Sequence, residues 1–320
     1  MVYICLEKYS DWLEANSVFL RYTNIEKVQI VFIEDLRNNR MAVEALFDSY
    51  KNSIVFEYKP FPDRQKWFRY IESIVSKLNP NDIIAAPFIR YRDVWTLIPD
   101  IRKTGAISVH LSESLPDSFG RLGYRLGFRI IGGFKFTGLL KQLCFMPFAY
   151  FYATTHKPDI CFYNMYPKVK NPFVKKTKQA VIPVVSQEKK KQIIALTRGE
   201  QRVLLLGGFG YDYKKMAESL GLSRYIATSK HKEIIIDGNL HPLDDFICAE
   251  EVLLSGVVNK IIGYNSTAIC WAYRIGGIEI ETYEATALNR QYGFMFGRLS
   301  RKTFAKCGIN LLKERTAFID

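Results

Sequence analysis

"KEIIIDGNLHPLDDFICAEEVLLSGVVNKIIGYNSTAICWAYRIGGIEIETYE", residues 232–284, decides the fold. "KEIIIDGNLHP", "NKIIGYNSTA" and "GIEIETYE" read as strands with their trailing turns. "DDFICAEEVLLSG" and "ICWAYRIG" read as helices, the first with Asp244 or Asp245 as its cap. Strands that alternate with helices argue for an open, mostly parallel sheet with helices on both faces.

Upstream the same rhythm continues. "QRVLLLGGFG" and "KKMAESLGL" add a strand and a helix. The first half repeats the pattern with "MVYICLE", "KVQIVFIE", "SIVFEYK", "DIIAAPF", "AISVHLSE" and "DICFYN" as strands. "RNNRMAVEALFDSYKN" and "DRQKWFRYIESIVSKL" are helices between them. Residues 165–200, rich in Lys and Pro, break the rhythm and read as a linker whose last part enters a helix. The expected division is 1–175, an N-terminal Rossmann-like domain; 176–290, a C-terminal Rossmann-like domain; and 291–320, a basic helical tail. Two doubly wound α/β domains facing a central cleft make the GT-B arrangement. In such sheets ligands bind beyond the carboxyl ends of strands.

The totals bound the partners. The chain has 320 residues, 48% hydrophobic, which suffices for two cores. Its formal charge of +13 and pI near 9.3 call for a negatively charged partner. The six cysteines form no CxxC pair and read as reduced thiols. No Cys/His cluster has metal-ligand spacing, so no metal and no cofactor is expected. Neither a signal peptide nor a run of about 18 apolar residues is found, so a cytoplasmic location is expected. No RNA-binding aromatic signature stands in the chain, and nucleic acid is not an expected partner.

Polar residues past strand ends are the candidate site. In "DGNLHP", His241 follows an apolar run and Pro242 stiffens its backbone. A histidine there can donate a hydrogen bond to phosphate. In "IIGYNSTA", Gly263 permits a tight turn and Ser266-Thr267 open a helix, where hydroxyls and free amides suit phosphate oxygens. The same serine also reads as an ordinary cap. In "LLLGGFG", Gly207 and Gly208 let the backbone approach a nucleotide, or make a simple turn; neither a P-loop nor GxGxxG is present. In the first half, Glu113 follows a strand and Asp117 lies four residues on. Either carboxylate suits removal of a proton from an acceptor hydroxyl. His110, inside that strand, reads as structural. Arg121, Arg125 and Arg129 recur at i, i+4, i+8 and suit anionic lipid or a phosphorylated acceptor.

This combination resembles the bacterial CMP-sialic-acid-dependent sialyltransferases, among them lipooligosaccharide and capsule sialyltransferases and the polysialyltransferases. That family shares the GT-B fold, an acidic motif, an HP motif and a serine-rich motif. Here His241-Pro242 matches HP, and Ser266-Thr267 matches the serine motif. Ser112-Glu113-Ser114 stands where the acidic motif belongs, with serines replacing its first acid and its glycine. The resemblance implies Glu113, with Asp117 in reserve, as general base. It implies His241, Ser266 and Thr267 as phosphate ligands, and CMP-sialic acid as donor substrate. The implied reaction is inverting, metal-independent transfer to a hydroxyl of a surface glycan, which the resemblance allows to be lipid-linked, at the inner membrane face. Other readings are a GT-B transferase using CMP-Kdo, a UDP-sugar or a polyol phosphate, and a non-enzymatic basic protein binding membrane or nucleic acid.

Overall fold

A computed structural model describes residues 1–6, 15, 28–32, 54–58, 64–87, 97–111, 157–163, 176–179, 182, 185–207, 212–229, 233–243, 247–264, 266–284, 304–305 and 307–313. The chain divides into two units, Met1–Val181 and Ile182–Asp320.

The N-terminal unit holds seven strands: β1 Val2–Leu6, β2 Val28–Phe32, β3 Ile54–Tyr58, β4 Ile83–Pro87, β5 Ile107–Leu111, β6 Ile160–Tyr163 and β7 Lys176–Gln179. They pair in the order β3-β2-β1-β4-β5-β6-β7, each parallel to its neighbour. Continuous apolar runs suit strands covered on both faces, and Ile83, Ile84, Ala85 and Ala86 are all buried. Helix α1, Arg64–Val75, buries Ile71, Ile74 and Val75; α2, Ile98–Thr104, ends at Gly105 in the left-handed region, φ 80°. Two polar side chains sit within β5. Ser108 is satisfied by Asp159, whose Oδ2 accepts from Ser108 N at 3.0 Å and Oγ at 2.7 Å. His110 is buried in the strand.

The linker reading ends sooner than expected. β7, "KTKQ", joins the first sheet as its edge strand. The first unit therefore extends six residues past 175. Lysine on an edge strand discourages pairing with other chains, and this composition hid the strand among linker-like residues.

The C-terminal unit begins with α3, Gln187–Thr197, capped by Ser186, whose side chain accepts from Lys189 N. Then follow β8 Arg202–Leu205, α4 Tyr213–Ser219, β9 Tyr225–Ser229, β10 Glu233–Ile236 and β11 Asn239–Pro242. The chain continues through α5 Ala249–Ser255, β12 Val258–Tyr264, α6 Thr267–Ile275, β13 Glu279–Tyr283 and β14 Leu311–Leu312. The sheet order is β11-β10-β9-β8-β12-β13-β14. Only β10 runs against its neighbours. In the region expected to be a helical tail, residues 311–312 pair with β13 in parallel.

"KEIIIDGNLHP" is a hairpin, not one strand. Asp237 (φ 52°) and Gly238 (φ 85°) form its two-residue turn, as Asp-Gly does when both central residues take positive φ. Asp237 anchors the turn. Its Oδ1 accepts from Tyr225 N at 2.7 Å, and its Oδ2 accepts from Arg202 Nε at 3.3 Å and Nη2 at 3.2 Å.

Gly263 marks a close approach. A Cβ there would stand 2.5 Å from Leu206 Cβ, on the chain just past β8. Gly263→Ala forces the two strands apart and is expected to cost about 1–3 kcal/mol. A fall in the urea midpoint with an unchanged slope would show it.

Candidate nucleotide site

The order of the second sheet places the site. From β8 the chain moves outward through β9, β10 and β11, then returns to the other side of β8 with β12. The reversal lies between β8 and β12, and the crevice beyond the carboxyl ends of such a pair is where open α/β sheets bind ligands. Gly207 follows β8 there and is exposed. Ser266 follows β12 there and caps α6, its Oγ accepting from Ala268 N at 3.3 Å. The hydroxyl proton remains available to donate. Tyr264, the last residue of β12, donates from its hydroxyl to Gly207 O at 2.9 Å, tying the two strand ends together. Burial pushes this phenol up to about 12, so at neutral pH it is a donor, not a charge. Gly207 and Ser266 are thus brought to one place. Thr267 is the first residue of α6.

His241 is not brought there. It lies on β11, in register with Ile234, which is in register with Thr228 of β9. β11 runs in the same direction as β9, so Pro242 does end at the carboxyl edge of the sheet. But β11 is four strand positions from β12, roughly 19 Å at ~4.8 Å per strand. A half-exposed imidazole and the Ser266 hydroxyl cannot flank one phosphate across that span. Strand order thus sets His241 apart from Ser266-Thr267, which were expected to form two sides of one phosphate site. Pro242 has a structural role of its own. Counting from the two-residue turn, Pro242 and Glu233 form a non-hydrogen-bonded pair, so the missing N–H costs no ladder bond on this edge.

The helix expected to begin at Asp244 or Asp245 begins at Ala249. Its cap is Cys248, whose N–H donates to Glu251 Oε2 at 3.0 Å in a capping box. Burial, with Glu251 and Glu250 nearby, pushes the Cys248 thiol well up. Glu251 also faces Lys189 of α3, Nζ to Oε1 3.0 Å, both side chains nearly buried. This ion pair fixes the first turn of α5 at the same edge of the sheet as the start of α6.

Glu113 follows the last residue of β5 by two positions. It lies outside the described residues, as do Asp117, Arg121, Arg125, Arg129 and Gly208. β9 escaped the sequence reading. It ends two strand positions from β12, nearer than β11, and the residues joining its end to the facing end of β10 are Lys230-His231-Lys232, also outside the described residues. A basic cluster after a strand was the available signal. Among the described residues no group of three or more His, Cys, Asp or Glu could hold a metal ion, and no helix is long and apolar enough to cross a membrane.

No family model matches the chain, and no curated protein matches it.

Proposed function

We propose that this chain is an inverting glycosyltransferase that moves sialic acid from CMP-sialic acid to a glycan hydroxyl. A GT-B fold belongs to this proposal. One observation carries the nucleotide part: Gly207 and the serine-capped start of α6 flank the reversal point of the second sheet. A glycine lets backbone pass close to a nucleotide, and helix amides with an adjacent hydroxyl favour a phosphate. The donor identity rests on the resemblance of Ser266-Thr267 and the acidic turn to the sialyltransferase motifs.

In the proposed reaction the acceptor oxygen attacks the anomeric carbon of the sialyl group. The bond from that carbon to the phosphate oxygen breaks, and CMP departs with the electron pair. The acceptor proton passes to Glu113 or Asp117. Charge grows on the phosphate as the bond breaks, so donors fixed at Ser266, Thr267 and the α6 amides stabilise the transition state more than the ground state. In this proposal the cationic phosphate partner is His231 of the Lys230-His231-Lys232 sequence between β9 and β10, in preference to His241.

Calorimetric titration of CMP, with CDP and UMP as controls, tests this reading. CMP is expected to bind selectively. His231→Ala is expected to weaken it by about tenfold or more, the worth of one charge-assisted hydrogen bond, while His241→Ala stays near wild type. Preference for a uracil nucleotide would replace the donor with a UDP-sugar. No nucleotide binding at all would end the transferase reading.

A further inference from the structure

The N-terminal sheet carries a row of cations along its amino edge. There α1 and α2 end and β4 to β7 begin. Lys77 follows α1, Arg102 lies in the last turn of α2, Lys157 leads into β6, and Lys176 opens β7. Lys77 and Arg102 are exposed and Lys157 is half-buried. β4, β5, β6 and β7 are successive neighbours, so these positions spread over roughly 14 Å at ~4.8 Å per strand.

Among the described residues two acids on this side, Asp82 and Asp100, are held in ion pairs, while Glu72 in the last turn of α1 is exposed. Asp82 takes the Met1 ammonium at 2.6 Å and Asn79 N at 2.8 Å. Asp100 pairs with Lys103 at 2.8 Å, and Asp159 holds Ser108. Arg102 donates to a neutral group, the Lys157 carbonyl, at 3.2 Å. Among the described residues Lys77, Arg102 and Lys157 face no carboxylate within ion-pair distance. A lysine on β7 also guards an edge strand, but Lys77 and Arg102 stand at helix ends, where no edge needs guarding.

A spread row of cations fits a flat array of anions better than one small anion in a pocket. We propose that the amino edge of the N-terminal sheet docks on an anionic bilayer through Lys77, Arg102 and Lys157. The inference does not rest on the donor reading.

Sedimentation with phosphatidylcholine vesicles containing about one third phosphatidylserine tests it. The protein is expected to bind these vesicles at low salt, to leave them as salt screens the charges, and to ignore pure phosphatidylcholine. Lys77→Glu/Arg102→Glu/Lys157→Glu is expected to lower the partition coefficient about a hundredfold, near fivefold per basic residue. A charge-matched control in the other unit, Lys191→Glu/Lys214→Glu/Lys313→Glu, is expected to fall far less. Single reversals with unchanged circular dichroism give the same comparison if the triple variant folds poorly. Equal losses in both triples would reduce the effect to net charge and overturn the surface. Failure of the wild type to bind anionic vesicles, or binding only to a soluble polyanion such as heparin, would overturn it as well.

Discussion

Lys189→Met is expected to destabilise the C-terminal unit by about 3–5 kcal/mol, the cost of removing one partner from a buried ion pair. The ammonium it removes stands 3.0 Å from Glu251 Oε1, and the two side chains are only 11% and 5% exposed. Methionine fills much of the volume, so the loss is electrostatic rather than a cavity. Lys189→Met/Glu251→Gln, which removes both charges, is expected to recover a large part of the loss, since neutral replacement of a buried pair is often close to even. Urea denaturation of both variants measures it. A double variant as unstable as Lys189→Met would mean that packing, not the pair, holds α5 to α3.

The same pair shows what could be read from the chain and what could not. The apolar runs of β1 and β4 were legible because a strand covered on both faces is apolar throughout. β7 was not legible, because an edge strand does not need to be apolar. In residues 233–242 the Asp-Gly hairpin signal was present, yet the histidine and proline beyond it drew the reading toward a strand end before a helix. Ser266 was legible, since a serine between an apolar run and a helical one is a cap wherever it folds. Its distance from His241 was not. Chain order makes β11 and β12 successive, whereas sheet order separates them by β10, β9 and β8. That order is set by which helices cross over which strands, and residue spacing does not encode it. Lys189 and Glu251, 62 residues apart, carried no sequence signal either. Each reads as a solvated surface charge until α3 and α5 are packed together.

Ser266→Asp is expected to leave the fold intact and to reduce transfer from CMP-sialic acid by about 10²–10³ in kcat/KM, the scale for losing a donor aimed at developing charge. The argument turns on the two uses of one oxygen. As a cap, the Ser266 Oγ accepts from Ala268 N; aspartate caps helices as well as serine does, so the start of α6 survives. As a phosphate ligand the hydroxyl must donate, and an ionised carboxylate cannot donate and repels the phosphate besides. Ser266→Ala reverses the emphasis: it removes the cap, costing about 0.5–2 kcal/mol of stability, and the donation together. Glu113→Gln belongs beside them. It is expected to lower kcat by about 10²–10⁴ while CMP titrates as in wild type, because a general base acts on the acceptor and not on the donor. If Asp117→Asn shows that loss and Glu113→Gln does not, the base moves to Asp117 and the rest of the scheme stands. If Ser266→Asp turns over at the wild-type rate, the helix start between β12 and α6 is a cap and nothing more, and the nucleotide must bind elsewhere.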